Sequence, residues 1–132
     1  MQTTFSRGTV GKREDLGGLF VRSSWEANYA RYLNWLVSHG EIKGWQYEVD
    51  TFEFASIKRG TRFYTPDFKI VNNDDTVEYH EVKGWMDAKS ATKLKRMAKY
   101  YPDIKVIVID KDAYYALARS VKALVPNWEK GS

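Results

Sequence analysis

Apolar residues recur at helical spacing in three segments of the chain and at strand spacing between them. The helical segments predict helices over residues 23–39, 87–100 and about 112–124. Asp87 is the expected cap of the second helix, and Pro126 follows the end of the third. The apolar stripe of the first helix consists of Trp25, Tyr29, Tyr32, Leu33 and Leu36.

The strand-like segments predict a mixed sheet. Residues 45–54 alternate until the phase slips near Asp50, where we expect a bulge or a break. Residues 63–71 and 77–82 are rich in apolar and aromatic residues and are separated by four Asn and Asp residues, which predicts an antiparallel hairpin. The run KVIVID at residues 105–110 predicts a strand buried on both faces, parallel to the hairpin across a helical connection. The expected fold class is therefore α/β.

The hairpin has a predictable register. If Val71 faces Val77, Asp67 lies opposite Glu81, with their Cβ atoms about 5 Å apart. Glu81 and Lys83 then share one face of the strand, while the residue between them points towards a core. Two carboxylates directly opposite each other are destabilising unless a cation lies between them. We therefore expect a divalent metal ion at this position.

A motif resemblance leads to the same expectation. Pro66-Asp67, thirteen intervening residues and then Glu81-Val82-Lys83 resemble the signature of the PD-(D/E)xK nuclease superfamily. The strings RSSWEANYARYL and YHEVKGW resemble small phage-type endonucleases, including the endonuclease I group that resolves branched DNA. The resemblance, over roughly residues 20–125, implies a restriction-endonuclease-like core with a mixed central sheet flanked by helices. It also implies a homodimer that cuts DNA, with Holliday junctions as the favoured substrate and recombination as the setting.

The chemistry assigns a role to each residue of the motif. Mg²⁺ prefers oxygen ligands and keeps several waters, so Asp67, Glu81 and the carbonyl of Val82 are the expected metal ligands. Mn²⁺ is expected to substitute for it. Lys83 is the expected catalytic cation, acting through electrostatic stabilisation of the phosphorane. By resemblance, Glu26 completes the catalytic and metal-binding set, although its position three residues after a serine also fits a capping box.

Charge favours a polyanionic partner. The chain has 21 Lys plus Arg and 17 Asp plus Glu, a net charge of +4. Basic residues concentrate in one loop and on one face of the second helix, as expected for a surface that follows DNA phosphates, although a merely solvated loop and helix are the alternative. The expected DNA-binding residues are Arg22, Lys58, Arg59, Arg62, Lys89, Lys93, Lys95, Arg96 and Lys99.

Length and composition limit the remaining possibilities. The absence of cysteine excludes a disulfide framework and a thiolate site. No apolar run is long enough for a membrane span, so we expect a cytoplasmic protein without a small-molecule cofactor. One nuclease domain is expected over residues 19–126, between a flexible basic arm at 1–18 and a tail at 127–132. The alternative functions are a sequence-specific or transposase-like duplex endonuclease and a non-catalytic DNA-binding module.

Overall fold

The structure is a computed structural model, and it describes residues 10–130. In chain order its elements are β1 (Gly11–Arg13), β2 (Leu19–Val21), α1 (Ser24–Ser38), β3 (Gly44–Tyr47), β4 (Phe52–Glu53), β5 (Phe63–Tyr64), β6 (Phe68–Val71), β7 (Val77–Val82), α2 (Ala88–Tyr100), β8 (Val106–Ile109) and α3 (Lys111–Val121). The chain divides into two compact units. The first unit runs to Glu41 and resumes at Asp112, and the second unit is Ile42–Lys111.

The first unit contains a short hairpin and two helices. β1 pairs antiparallel with β2, so regular structure begins within the stretch predicted as a flexible arm; residues 1–9 of that arm lie outside the described residues. Trp25 of α1 stacks on Tyr114 of α3 with ring centroids 4.2 Å apart, and Trp128 stacks on Tyr114 from the predicted tail. The segment before the second unit and the segment after it in the sequence therefore contribute to one aromatic core.

The second unit is built on a mixed four-stranded sheet, in the order β3-β6-β7-β8. β3, β6 and β7 are antiparallel neighbours, and β8 is parallel to β7 across α2, so the predicted α/β class and mixed sheet are confirmed. The prediction that β8 is buried on both faces is wrong, because its four residues are only half-buried. An apolar run of four residues does not reveal how completely the faces of its strand are covered.

The predicted break near Asp50 is confirmed, and it separates β3 from β4. Glu48 follows β3 with a φ of 48°, in the left-handed region that side chains other than glycine rarely adopt. β4 then pairs with β5 in a separate two-stranded sheet, so the predicted 63–71 strand is interrupted at residues 65–67, and Asp67 lies directly before β6. Tyr64 of β5 and Met97 of α2 are buried in one apolar cluster.

The helices follow their sequence signals closely. α1 begins after the cap residue Ser23, and the Asp87 side chain accepts a hydrogen bond from the backbone N–H of Ser90 at the start of α2. α3 ends at Val121, three residues before the predicted end at Leu124. Within residues 10–130 no helix has the length and apolarity needed to cross a membrane.

Candidate functional site

The antiparallel hairpin brings Asp67 and Glu81 together. Val71 pairs with Val77 and Phe68 with His80, as predicted, so the same register continued by one residue places Asp67 opposite Glu81. The backbone N–H of Val82 donates to Oδ2 of Asp67 at 2.8 Å, and the backbone N–H of Asp67 donates to Oε1 of Glu81 at 3.3 Å. Each carboxylate is thus positioned by the backbone of the opposite strand.

The backbone of Asp67 is also held from the other side. The N–H of Glu48 donates to the carbonyl oxygen of Asp67 at 2.8 Å. Glu48 makes this bond in its left-handed conformation, which costs of order 1 kcal/mol for a residue with a side chain. Asp67 is 7% exposed. The acid that the motif singles out is therefore buried and fixed by both neighbouring strands.

Tyr64 fixes Glu81 through its side chain. Its hydroxyl donates to Oε1 of Glu81 at 3.0 Å, and the ring is 3% exposed. Burial, together with the negative charge of Glu81, raises the pKa of Tyr64 far above its ordinary value, so the hydroxyl stays protonated and remains a donor. The sequence analysis did not identify Tyr64, because its partner depends on the separate pairing of β4 with β5.

Lys83 lies beside Glu81 at the end of β7. The backbone N–H of Lys83 donates to the carbonyl oxygen of Ile109 at 2.9 Å, which extends the parallel pairing with β8. Glu81 and Lys83 line one cleft of about 50 Å³ with Tyr64 and Lys93. Val82, between the two, is 8% exposed, as the predicted alternation requires. The cleft therefore combines a carboxylate, a tyrosine and two lysines.

Glu26 is the fourth residue that the motif resemblance singled out, and it lies in the first unit. Ser23 Oγ accepts a hydrogen bond from the N–H of Glu26 at 3.2 Å. Glu26 Oε1 accepts in return from the N–H of Arg22 at 3.1 Å, one residue earlier than in a standard capping box. Glu26 therefore contributes to the start of α1, which is the rival explanation that its position suggested.

The predicted DNA-binding residues of the second unit form what we call the basic surface. A guanidinium N–H of Arg96 on α2 donates to the carbonyl oxygen of Thr61, which ties the basic loop at residues 57–62 to the helix. Lys93 lines the cleft, and the Arg62 guanidinium lies 5.3 Å from the ring centroid of Phe63. The exposed members of the surface are Lys58, Arg59, Arg62, Lys89, Lys95 and Lys99. Arg22 is exposed in the first unit.

The other titratable groups of the sheet pair separately. His80 alternates with Glu81 along β7, and its Nε2 lies 2.6 Å from Glu78 Oε2. Burial lowers the pKa of His80 despite the carboxylate beside it. Tyr79 donates to Asp50 Oδ2 at 2.6 Å. These bonds stabilise the sheet around the acidic pair and add no further acid to it.

The donor set of the acidic pair fits a hard cation. Within residues 10–130 no three His, Asp or Glu side chains are grouped closely enough to hold a metal ion by themselves. Mg²⁺ needs only one or two carboxylates, because water and backbone oxygen complete its coordination. The pair Asp67 and Glu81, with the adjacent carbonyl of Val82, meets that smaller requirement. A structural zinc ion, which favours thiolate and imidazole ligands, does not fit a chain without cysteine.

Comparisons of the chain with protein-family models, with curated proteins and with solved structures found no match. The function is therefore inferred from the residues of the chain and from their geometry.

Proposed function

We propose that this protein is a metal-dependent endodeoxyribonuclease. The observation that carries the proposal is the cross-strand bonding of Asp67 and Glu81 next to Lys83. Two carboxylates held opposite each other oppose folding, because like charges across a sheet repel. Such a pair beside a lysine is suited to binding a hard cation against a phosphate group.

The proposed mechanism divides the work between the acidic pair and the residues of the adjacent cleft. A Mg²⁺ or Mn²⁺ ion bound by Asp67, Glu81 and the Val82 carbonyl would neutralise phosphate charge and activate water. The ammonium group of Lys83 stabilises the negative charge that develops on the phosphorane. Tyr64 keeps Glu81 in place through a hydrogen bond from its hydroxyl, whose raised pKa keeps it a donor. Lys93 attracts the substrate phosphate into the cleft.

The proposal extends to the substrate and to the fold family. The sheet order, with β8 parallel to β7 across α2, is compatible with the restriction-endonuclease-like core that the motif resemblance implies. The basic surface supports a polyanionic substrate. The proposals of branched DNA as the substrate and of a homodimer rest on the motif resemblance. A homodimer would provide the two matched cuts that the resolution of a junction requires.

A plasmid-nicking assay tests the chemistry. Purified protein is incubated with supercoiled plasmid in Mg²⁺, in Mn²⁺ or in chelator, beside Asp67→Asn, Glu81→Gln and Lys83→Met. We expect nicking only with metal, and a loss of at least ~100-fold in each variant, the scale of single electrostatic groups in catalysis. Glu53→Gln, an exposed acid of the second unit, is the matched control and should cut like the wild type. Nicking that persists in chelator, or in both acid variants, would disprove the proposal.

A second candidate is a DNA-binding module without chemistry, and the lack of a three-acid group among residues 10–130 favours it. It predicts DNA retention with no metal-dependent nicking by the wild type. The same preparations also test the substrate. If linear duplex competes as well as a four-way junction at equal salt, the proposed junction preference is wrong. The proposed nuclease activity is not affected by that outcome.

A further inference from the structure

Trp85 is placed unusually for a tryptophan. Its side chain is 71% exposed, whereas Trp25 is 4% exposed and the indoles of Trp35, Trp45 and Trp128 are half-buried. Among the described residues, no ring stacks on Trp85. A large apolar ring left in water forgoes stabilisation that most tryptophans obtain by burial. A single exposed apolar residue is ordinary, so the surroundings of Trp85 decide whether it can contact a partner.

The position of Trp85 connects it to the proposed active site. Lys83, two residues before it, and Met86, directly after it, both line the cleft that contains Glu81. Met86 is itself 42% exposed, so an apolar side chain that lines the cleft also reaches solvent directly after Trp85 in the chain. The ring therefore projects from the segment that forms one wall of the cleft.

The charges around this segment identify the kind of partner. Lys83 and Lys93 line the cleft, and exposed Lys89 lies two residues after the Asp87 cap of α2. A cationic surface with an exposed aromatic ring matches a nucleic-acid strand, because phosphates meet the cations while a base stacks on the ring. An apolar protein partner would leave these lysines without compensation.

We infer that Trp85 stacks on an unpaired base of a DNA strand next to the cleft. This inference rests on the proposed function and deepens it, because it specifies DNA with unpaired or unstacked bases near the cut. Inside an intact duplex, every base is covered by its neighbours, and only the two end pairs offer a free face to the indole. A single strand, or the open centre of a branch, does offer one.

Binding in chelator tests the inference without any chemistry. The probes are an oligodeoxythymidylate and a blunt duplex of equal phosphate number, with wild type, Trp85→Ala, Trp85→Phe and the control Phe20→Ala. Phe20 is 53% exposed in the first unit. We expect Trp85→Ala to weaken binding of the single strand about tenfold, the effect of one lost base stack. Binding of the duplex should change less than about twofold, and Trp85→Phe should restore most of the single-strand affinity.

Fluorescence provides an independent readout. Base stacking should quench the wild-type tryptophan emission when oligodeoxythymidylate is added, and the quenching should disappear in Trp85→Phe, which folds with an aromatic ring at the same place. Equal losses on both probes, no loss on either, or unchanged quenching in Trp85→Phe would overturn the inference. Because chelator is present throughout, these outcomes do not depend on cleavage. Failure of plasmid nicking, in contrast, would overturn the proposed function and leave the stacking result intact.

Discussion

The first unit buries Arg31 between Asp15 and Glu129, whereas the second unit brings Asp67 and Glu81 together across two strands. Arg31 donates to Asp15 at 2.7 and 2.9 Å and to Glu129 at 2.8 Å. In the second unit, the carboxylates accept hydrogen bonds from backbone N–H groups and a tyrosine hydroxyl. The carboxylates of the first unit thus pair with a buried cation, whereas Asp67 and Glu81 face each other and accept from backbone and tyrosine donors.

The difference matches a structural role for the cluster of the first unit and the proposed metal-binding role for Asp67 and Glu81. The hydrogen bond from Arg31 holds the pKa of Asp15 below its ordinary range. Burial opposes ionisation of Glu129, but hydrogen bonds from Arg13 and Arg31 outweigh it and lower the pKa of Glu129. Such pairing stabilises the folded state. Two like charges that face each other repel, and this cost is consistent with the metal-binding role proposed for Asp67 and Glu81.

Removing the buried cation of the first unit should have the largest effect. Arg31→Met leaves two acids of a largely buried cluster without their shared cation, so we expect a loss of about 3 kcal/mol in the free energy of unfolding. Urea denaturation at pH 7 measures it. Arg59→Met, at an exposed position, is the matched control and should stay within about 0.5 kcal/mol. A loss in Arg31→Met as small as in this control would contradict a structural role for the cluster.

Removing one charge from the acidic pair should leave the free energy of unfolding largely unchanged and should reduce nicking. Asp67→Asn keeps an acceptor for the Val82 N–H and removes the repulsion with Glu81, so the free energy of unfolding should stay equal or rise slightly. Metal-dependent nicking should fall at least ~100-fold, which corresponds to about 2.7 kcal/mol in the barrier. Asp15→Asn is the crossed control and should lose stability while its nicking per folded molecule stays unchanged. If both variants lose stability alike and keep their activity, the contrast between the clusters is wrong.

Removing the tyrosine hydroxyl should have a smaller effect on both properties. Tyr64→Phe keeps the buried ring and deletes one hydrogen bond to a charged acceptor, so we expect a loss of about 1.5 kcal/mol in the free energy of unfolding. Glu81 keeps its bond from the Asp67 N–H but becomes less fixed. We therefore expect about tenfold slower nicking, with a higher metal concentration needed for the half-maximal rate. A loss of stability with an unchanged nicking rate and an unchanged metal requirement would assign Tyr64 to stability alone.

Local sequence signals predicted the parts of the second unit that depend on neighbours in the chain. The four-residue turn and the strand pattern were enough to align Val71 with Val77, and Asp87 marked the start of α2. The position of Asp67 opposite Glu81 follows from that register. The pairing of β8 with β7 followed from the general rule for strands joined by a helix.

Long-range pairings account for what the sequence did not predict. Arg31 and Glu129 are separated by 98 positions, and residues 127–130 have no periodic pattern that would reveal the bond between them. The pairing of β4 with β5, which positions Tyr64, involves only two residues per strand. Glu48 breaks its strand through a backbone conformation that its residue type does not favour. In each case the deciding contact is made with a distant part of the chain.

Acid titration of the Arg31 cluster should have the smallest of these effects. The folded-state pKa of Asp15 is lowered from its ordinary value of 3.8, so its contribution to stability is fully present above that value and is lost as the pH falls through the folded-state pKa. The pKa of Glu129 is also lowered, so its contribution to stability is likewise lost as the pH falls. The difference in unfolding free energy between wild type and Arg31→Met should therefore narrow as the pH falls below about 4. The side chains of Asp15 and Glu129 are 28% and 29% exposed, so solvent screening keeps the change modest. Urea denaturation of both proteins from pH 7 to pH 3 measures the narrowing, and a constant difference over that range would show that the stabilisation by Arg31 comes from packing.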